Sequence, residues 1–418
     1  MYDSTWESGL LCQDEWYRDN KILLPSQAWI SLGRFFYSVN NHPSAIRKTI
    51  MKFYEFWKGK VMKMRRKMMT AVLTMAMAAT MVTGCGSTTS ETTVSNDNAQ
   101  GGTVYKVGIV QYVDDASLNQ IEKAIEAELD AKSAELGVTF EYADYTHNGQ
   151  ADSTVLNQIA ADLIADKVDI IIPIATPAAM VMQNATSEAI REDGSLIPVV
   201  FSAVSDPAGA GLVASNDAPG ANITGTSDAI DTEGIMNLIM TANPETDKIG
   251  LLYDKSQPSS EGSIADAKAY CDANGIAYVE KTGTTTAEVQ AAADSLVAEG
   301  VDAVFTPQDN TIMTAELAIF EKFTEAGIPH FTGADSFALN GAFCGYGVNY
   351  TNLGTATADM AVDILVNGAD PATTAVKTLE DGIITINTET AEAIGLDYTA
   401  LKELGSELVE ITTATDFN

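Results

Sequence analysis

Short apolar runs alternate with longer stretches of helical periodicity along the chain from about residue 104 onward. The runs are almost wholly apolar over five to seven residues, which is typical of strands buried on both faces of a parallel sheet. The first elements predicted in this way are strands at 106–112, 138–142 and 168–172 and helices at 118–136, ending at Gly137, and at 155–165. This alternation predicts an α/β fold with helices covering both faces of the sheet.

The same pattern occurs twice in the chain. Three pairs of segments share the repeat: 105–112 (YKVGIVQY) with 247–254 (DKIGLLYD), 163–170 (LIADKVDI) with 296–303 (LVAEGVDA), and 197–202 (IPVVFS) with 328–333 (IPHFTG). The order is preserved, and the offsets of 131 to 142 residues are those of a duplicated domain rather than of a short structural repeat. We therefore predict two similar doubly wound lobes, joined near residues 222–231.

Two such lobes in one chain have their natural ligand site in the cleft between them, outside the carboxyl ends of the strands. The residues that follow those ends are therefore the candidate binding residues. In the first lobe they are Gln111, Tyr112, Thr176, Pro177, Ala178, Ser202, Ala203 and Asp206. In the second lobe they are Gln257, Ser259, Ser260, Asp309, Asn310 and Asp335.

Thr176 and Asp309 occupy equivalent strand-to-helix turns in the repeat. Such a turn offers free backbone N–H groups and the positive end of a helix, so the Thr176 turn, which has no carboxylate, could hold a ligand carboxylate. Asp309 would supply negative charge for a ligand ammonium. The two turns together suit a zwitterion such as an amino acid, whereas the alternative for each residue is a plain helix N-cap.

Residues 62–84 have the features of a secretory signal. The cationic stretch 62–67 (MKMRRK) precedes an uncharged apolar stretch at 68–82, which is shorter than the roughly 20 residues of a spanning helix. A short transmembrane helix is the alternative. If translation starts at Met62 or Met64, residues 1–61, which hold all four Trp, are an over-called gene start; the other interpretation is a genuine N-terminal extension.

The balance of basic and acidic residues also changes at the end of this signal, at residue 84. Residues 1–84 hold 12 Lys and Arg against 6 Asp and Glu, whereas residues 85–418 hold 12 against 51, a net charge of −39. Nucleic acid is therefore excluded as the main partner, because phosphate binding requires clustered basic residues. The segment 85–103 is rich in Ser, Thr, Asn and Gly and shows no periodicity, so it is predicted to be a flexible tether.

The residues of common catalytic and metal sites are sparse. Cys271 and Cys344 have no C-x-x-C spacing and no His partners, so they predict buried apolar residues rather than a disulfide or a metal site. His147 and His330 do not accompany a Ser or Cys in a hydrolase signature. The sequence therefore predicts no cofactor, no metal and no enzymatic activity.

Several motifs resemble one family. Residues 201–213 (FSAVSDPAGAGLV) and 222–228 (NITGTSD) resemble the ABC-transporter substrate-binding lipoproteins related to the tryptophan- and tyrosine-binding proteins. The resemblance covers roughly residues 104–404 and includes 176–179 (TPAA), 309–310 (DN) and 345–350 (GYGVNY). Residues 82–85 (VTGC) likewise resemble a lipobox, in which Cys85 is lipidated and becomes the mature N-terminus.

The resemblance implies a type I periplasmic-binding fold, whose two lobes close on a ligand. Residues 104–226 and 337–370 would form the N-terminal lobe, and residues 227–336 and 371–418 the C-terminal lobe. It implies an extracytoplasmic lipoprotein, anchored to the bacterial membrane through Cys85, that delivers a small zwitterionic solute to an ABC permease. For an aromatic amino acid, Tyr112 or Tyr346 would stack on the ring.

Three other functions remain open on the sequence. A sugar- or nucleoside-binding protein of the same fold would require several aromatic residues flanking the cleft and no pairing of an anion-binding turn with an acidic residue. A ligand-sensing ectodomain would share the same cleft. A cleft hydrolase is the weakest alternative, because no nucleophile and base are paired in the sequence.

Overall fold

Two sheets dominated by parallel strands organise residues 102–380 and 382–414, the part of the chain that the computed structural model describes. The first sheet has the order β12-β6-β5-β4-β1-β2, with β3 also paired to β1, and the second has the order β14-β13-β11-β10-β9-β7-β8. The strands of the first sheet are β1 (Val104–Gln111), β2 (Thr139–Glu141), β3 (Thr146–Asn148), β4 (Ile170–Ile174), β5 (Val199–Phe201), β6 (Ile223–Ser227) and β12 (Lys377–Thr378). Those of the second are β7 (Lys248–Tyr253), β8 (Ala277–Thr282), β9 (Ala303–Thr306), β10 (His330–Thr332), β11 (Cys344–Gly347), β13 (Ile383–Asn387) and β14 (Glu407–Ile411).

Helices follow most of the strands, so the two lobes predicted from the sequence are confirmed. The helices are α1 (Ala116–Leu136), α2 (Ser153–Ala165), α3 (Thr176–Thr186), α4 (Thr232–Ala242), α5 (Pro258–Asn274), α6 (Thr286–Glu299), α7 (Asn310–Ala315), α8 (Phe320–Glu325), α9 (Asp335–Leu339), α10 (Tyr350–Asn367) and α11 (Thr388–Ile394). Two 3₁₀ helices lie at Glu316–Ala318 and Thr399–Leu404. As predicted, α1 ends at Gly137, whose φ of 67° is favourable for glycine.

The sequence repeat is also a repeat of side-chain packing. A Cβ atom placed on Gly108 in β1 would lie 2.9 Å from Cδ1 of Leu163, and one placed on Gly250 in β7 would lie 2.9 Å from Cδ2 of Leu296. Each lobe therefore uses a glycine in its first strand to admit a leucine from the helix that precedes the neighbouring strand of the sheet. The two leucines are equivalent in the sequence repeat, so the duplication extends to the cores.

A second feature of the repeat fixes the start of the first strand in each lobe, β1 and β7. The backbone N–H of Lys106 donates to the carboxylate of Asp169 at 2.8 Å, and that of Lys248 donates to Asp302 at 2.9 Å. These pairs lie at matching positions of the two repeats. Both carboxylates thus hold the amino end of that strand against a neighbouring strand of its sheet.

We expect Gly108→Ala and Gly250→Ala each to lower the free energy of unfolding by about 1–3 kcal/mol, because the added methyl group collides with a packed leucine. Gly262→Ala is the matched control: it lies exposed in the interior of α5, where alanine should stabilise the helix by up to about 1 kcal/mol. Urea unfolding measures all three variants. Wild-type stability in the Gly108 and Gly250 variants would contradict this account of the repeat.

The lobe boundaries differ from the prediction at two places. Residues 337–347 were expected in the first lobe, but β11 pairs with β10 and β13 in the second sheet. Packing explains the difference, because Phe343 lies edge-on against Phe331 of β10, with ring centroids 5.2 Å apart. Conversely, residues 371–378 were expected in the second lobe, yet β12 pairs with β6 of the first sheet.

Helix α10 lies on the first lobe, although it follows a strand of the second. It packs along α1 at close range, since a Cβ atom on Gly354 would stand 2.6 Å from the carbonyl oxygen of Ile121. Lys132 of α1 also forms an ion pair with Asp359 of α10 at 3.2 Å. The chain consequently crosses between the lobes after β6, after β11 and between β12 and β13 within the described residues.

The predictions for residues 1–61, the signal at 62–84, Cys85, the tether as far as residue 101 and the four Trp lie outside the described residues. Cys271 and Cys344 are both buried and unpaired, as predicted. No helix in residues 102–380 and 382–414 combines the length and the apolar character needed to cross a membrane. Over the same residues, no His, Cys, Asp and Glu side chains cluster as a metal site would require.

Candidate ligand-binding site

A cavity lies between the two lobes, at the carboxyl ends of both sheets. The space between its lining atoms is about 390 Å³, part of which is open to solvent. Its lining residues are Asp115, Ser117, Leu118, Ala175, Thr176, Ala203, Ser205, Asp228, Ser259, Gln308, Asn310, Met313, Ala334, Phe337 and Tyr350. Both lobes therefore contribute polar and apolar groups to one enclosed space.

The first lobe presents an uncapped helix end to this cavity. Helix α3 begins at Thr176 after β4, and Ala175 at its N-cap has no side chain that could accept from the first turn. Ala175 has φ 80° and Ala203 has φ 54°, conformations that cost energy for residues other than glycine. The strained turns bring backbone, rather than side chain, up to the cavity wall, so the free N–H groups of α3 suit an anionic ligand group.

Two buried carboxylates lie on the same side of the cavity. Asp228 follows β6 and accepts a hydrogen bond from the Ser205 hydroxyl at 3.3 Å. Asp115 follows β1 and caps α1 by accepting from the N–H groups of Ser117 and Leu118 at 2.9 and 3.3 Å. Loss of hydration raises the pKa of each carboxyl to about 6. Both are therefore largely ionised at pH 7 but lack a cationic partner.

The cavity is negative because its lining includes no Lys, Arg or His. Two buried carboxylates without counter-charge are unfavourable, and a positively charged ligand group would relieve that cost. Burial, together with the negative charges of Asp228, Asp335 and Asp115, raises the pKa of Tyr350 well above its usual value. Tyr350 is thus a neutral hydrogen-bonding group at any physiological pH.

The second lobe contributes two polar atoms that have no protein partner. The Ser259 Oγ and the Gln308 Oε1 are both buried, line the cavity and lack hydrogen-bond partners within the described residues. Such atoms are rare in folded proteins, because each loses its hydration without compensation. Ser259 also lies in the first turn of α5, a helix whose N-cap, Gln257, makes no side-chain capping bond. These groups are suited to bind a polar ligand.

An apolar wall completes the cavity. Leu118, Met313 and Phe337 line it, and all three are at least nine-tenths buried. Phe337 is in turn supported by the ring of His330, which stands edge-on at 6.4 Å between centroids. His330 itself is a satisfied core residue, bonded to Glu316 at 3.0 Å and Thr306 at 2.8 Å. This wall would contact a hydrophobic part of a ligand rather than a polar group.

Hydrogen bonds across the cleft hold the lobes together in this structure. Asp335 at the start of α9 accepts from the Ser117 hydroxyl through one oxygen and from Gln120 through the other, the latter at 3.2 Å. Gln308 donates to the backbone oxygen of Asp228 at 2.6 Å. These bonds join the second lobe to the first on both sides of the cavity, so the described lobes are closed on each other.

Four of the predicted binding residues lie on the cavity wall. They are Thr176 and Ala203 from the first lobe and Ser259 and Asn310 from the second. Asn310 donates to the Gln257 side chain at 3.2 Å and thereby positions the start of α5. The structure thus brings together the two turns that the sequence repeat had placed opposite each other.

Asp309 was expected to face a ligand ammonium, but the structure does not place it on the cavity wall. One of its oxygens accepts from the N–H groups of Thr311 and Ile312, each at 3.0 Å. The other accepts from the N–H of Asp254 and the hydroxyl of Ser260, each at 2.7 Å. With four donors already bound, Asp309 acts as a buried helix cap, and Ser260 serves it rather than a ligand.

Other predicted residues support the first lobe from behind the cavity. Gln111 donates to the Val113 carbonyl and to Asn119 at 2.8 and 2.7 Å, which shapes the loop before α1. Ser202 joins the hydroxyls of Thr226 and Thr357 at 3.3 and 2.9 Å, linking β5 and β6 to α10. Residues of α3 after Thr176 contribute less: Pro177 is not on the cavity wall and Ala178 packs in the core.

The remaining predicted residues lie at the edge of the cavity, at the contact between the two lobes or beside a crossover between them. Tyr112 is partly exposed, and its hydroxyl faces the other lobe, where burial and the charges of Asp254 and Asp309 raise its pKa. Asp206 is exposed and caps the N–H of Gly209 at 2.8 Å. Asp335 makes the closure contact described above. Tyr346 packs in the second-lobe core, with its hydroxyl near Gly382 of a crossover, so it is not placed to stack on a ligand.

The acidic residues that face the cavity were not among the binding residues predicted from the sequence. Asp228 ends a motif that had been interpreted as the connection between lobes, and the strand before it, β6 (ITGTS), is buried but lacks the apolar run by which the other strands were recognised. Asp115 and Tyr350 lie four and three residues beyond the ends of β1 and β11, and Phe337 lies in α9, five residues beyond β10, so none of them directly follows its strand.

Residues 106–402 match the family described as ABC transporter substrate binding protein. A protein of Clostridioides difficile (strain R20291) named tyrosine-binding protein is 30% identical over 333 residues, which cover 79% of this chain and 93% of that protein.

Two solved structures are also similar. An ABC domain from Streptococcus pneumonia in complex with L-Trp has a TM-score of 0.66 at 27% identity and covers 73% of this chain and 100% of its own. A ligand-free, open substrate binding protein with adhesive properties from Clostridium difficile has a TM-score of 0.57 at 30% identity and covers 74% and 100%.

Proposed function

Because this chain belongs to the family of ABC transporter substrate binding proteins and has their type I periplasmic-binding fold, we propose that it captures an amino acid outside the cytoplasm for an importer. Aromatic amino acids are the first candidates. The ligand would be held between the closed lobes and released to a membrane permease. The observation that carries the proposal is the cavity, which pairs an acidic side with a free helix end.

The polar groups of the cavity match the head of an amino acid. The Asp228 carboxylate would pair with the ammonium, in a site with no competing basic side chain. The ligand's own carboxylate would accept hydrogen bonds from the free N–H groups at the start of α3, beside Thr176. From the opposite lobe, Ser259 and Gln308 would complete the hydrogen bonds that they lack in the free protein.

A ligand bound in this way would favour closure of the lobes. The acidic side lies on the first lobe and the unpartnered atoms lie on the second, so only the closed form makes both sets of contacts. A ligand that binds one state more tightly shifts the population toward that state. In keeping with this, the closed protein superposes better on the relative solved with L-Trp than on the one solved open and free of ligand.

The apolar wall supports an aromatic or large aliphatic side chain. Leu118, Met313 and Phe337 would bury such a group, and an aromatic ring adds roughly 1 kcal/mol when it packs edge-on or offset against Phe337. Relatives named for tyrosine and solved with L-Trp point to the same class. A neutral sugar or nucleoside can donate a hydroxyl to Asp228 but carries no positive charge to pair with it.

Attachment to the membrane is part of the proposal. A lipid on Cys85 would hold the protein at the outer surface of the cell membrane, and the segment 85–103 would give it reach toward the permease. Intact mass of the protein purified from its membrane measures this directly. A mature chain that keeps Trp6 would contradict the lipoprotein assignment.

Ligand release and calorimetry test the binding function. Small molecules freed by denaturing the purified protein are identified by mass spectrometry, and tryptophan, tyrosine, phenylalanine and leucine are then titrated into refolded protein. Glucose and adenosine serve as controls. If none of the amino acids binds more tightly than about 100 μM, or about −5.5 kcal/mol, the proposed function fails.

Affinity for an amino acid should rise with pH up to about 6 and then level off. Burial raises the pKa of the free Asp228 carboxyl to about 6, and the ammonium would lower that pKa by stabilising the ionised form. Below pH 6, binding must therefore release a proton, and affinity should fall by up to about tenfold per pH unit. Calorimetry at pH 5–8, in buffers of different ionisation enthalpy, measures the released proton. A pH-independent affinity would contradict the role of Asp228.

A further inference from the structure

We propose that Asp115 recognises a hydrogen-bond donor at the far end of the ligand's side chain, and so selects amino acids such as tyrosine over phenylalanine. This inference rests on the proposed function and assigns the second cavity carboxylate a task of its own. One ammonium satisfies one carboxylate, and the head of the ligand is already matched by Asp228 and the start of α3. Asp115 is left as a buried acceptor on the cavity wall.

The order of the strands separates the two carboxylates. Asp228 follows β6 and Asp115 follows β1, and the sheet runs β6-β5-β4-β1 between them. With neighbouring strands roughly 4.8 Å apart, the ends of β6 and β1 are separated by roughly 14 Å. Thr176 follows β4 and therefore lies between them. A ligand whose head spans Asp228 and Thr176 must extend its side chain toward Asp115.

The surroundings of Asp115 are those of a side-chain pocket. Leu118 lies on the first turn of the helix that Asp115 caps, and Phe337 lies one helical position beyond Ser336, whose N–H donates to the Ser117 hydroxyl at 3.3 Å. The acceptor thus sits beside apolar groups that would contact an aromatic ring, and it also faces Asp335 and Ser336 of the second lobe. A donor at the end of that ring, such as a phenol O–H or an indole N–H, would meet a carboxylate instead of water.

A buried acceptor gives selectivity by penalising the wrong ligand. Both N–H bonds that cap α1 go to one oxygen of Asp115, so a ring without a donor would cover the other oxygen without bonding to it, whereas a phenol would donate to it. Sites built to bond a substrate hydroxyl can discriminate strongly against the analogue that lacks it. We therefore expect the wild-type protein to bind tyrosine at least tenfold more tightly than phenylalanine.

Asp115→Ser is the variant that isolates this role. Serine also caps helices, so the start of α1 is preserved, but its side chain is shorter and carries no carboxylate. The tyrosine-to-phenylalanine affinity ratio should fall at least fivefold in this variant, mainly through weaker tyrosine binding. Asp114→Ala is the matched control, because it removes the neighbouring, exposed carboxylate and should leave the ratio unchanged.

The outcomes separate this inference from the function on which it rests. Failure of both amino acids to bind the wild-type protein would refute the proposed function itself. Binding of both with equal affinity to the wild type, or an unchanged ratio in Asp115→Ser, would overturn the role of Asp115 alone. Loss of both ligands to the same degree in Asp115→Ser would instead assign the ammonium to Asp115. Thermal unfolding of each variant verifies that it is folded.

Discussion

Asp228→Asn should weaken amino-acid binding by a factor of about 100 or more. The substitution keeps the shape of the side chain but removes the charge that would pair with the ligand ammonium in a cavity lined by no basic residue. Removing one partner of a buried ion pair typically costs about 3–5 kcal/mol, and about 1.4 kcal/mol corresponds to a factor of ten. Calorimetry with the ligand identified from the purified protein measures the loss.

The same variant should be at least as stable as the wild type in the absence of ligand. Burial without a cationic partner is what raises the pKa of Asp228, so removing its charge relieves an unfavourable burial. Asp231→Asn is the matched control, because Asp231 is exposed and asparagine can replace it as the cap of α4. Unchanged affinity in Asp228→Asn would remove Asp228 from the site.

Asp309→Ala, in contrast, should destabilise the protein by about 3–5 kcal/mol while leaving the affinity of the folded form within about threefold of the wild type. The alanine leaves four donors without their acceptor, those of Asp254, Ser260, Thr311 and Ile312. Each buried donor that loses its acceptor costs roughly 1 kcal/mol or more. Urea unfolding measures the stability, and calorimetry below the unfolding transition measures the affinity.

Asp206→Ala provides the comparison for Asp309. It also removes a carboxylate that caps a backbone N–H, but Asp206 is exposed, so its loss should cost less than about 1 kcal/mol. A tenfold loss of affinity in Asp309→Ala with wild-type stability would show instead that Asp309 binds the ligand. The two aspartates Asp228 and Asp309 thus have opposite expected consequences, one for binding and one for folding.

Those two residues illustrate why the site was only partly predictable. Both follow a buried parallel strand, so position after a strand does not by itself distinguish them. They differ in the hydrogen-bond donors around them. Asp309 accepts bonds from Asp254 and Ser260, which are 55 and 49 residues away in sequence. Asp228 accepts a side-chain hydrogen bond from Ser205 alone. No local window contains that information.

Tyr346 shows the same limit for an apolar group. It belongs to a motif on which the family resemblance depends, and an aromatic residue near the cleft was a reasonable candidate for stacking. The pairing of β11 with β13 turns its ring into the second-lobe core, beside the crossover that contains Gly382. Phe337 and Tyr350 line the cavity instead, because a short helix and the first turn of α10 reach it after the strands have ended.

The sequence by itself determined the two-lobe α/β architecture, the duplication and the edge of the sheets where a ligand site would form. These follow from local periodicity, since apolar strands and amphipathic helices can be buried only in layers, and from the repeat of glycine and leucine positions in both cores. The tertiary structure decided which carboxylates face the cavity and which lobe holds β11. Those outcomes depend on strand pairing and on hydrogen-bond donors from distant segments. The same type of residue has all its hydrogen bonds filled by the protein at one position and remains available to a ligand at another.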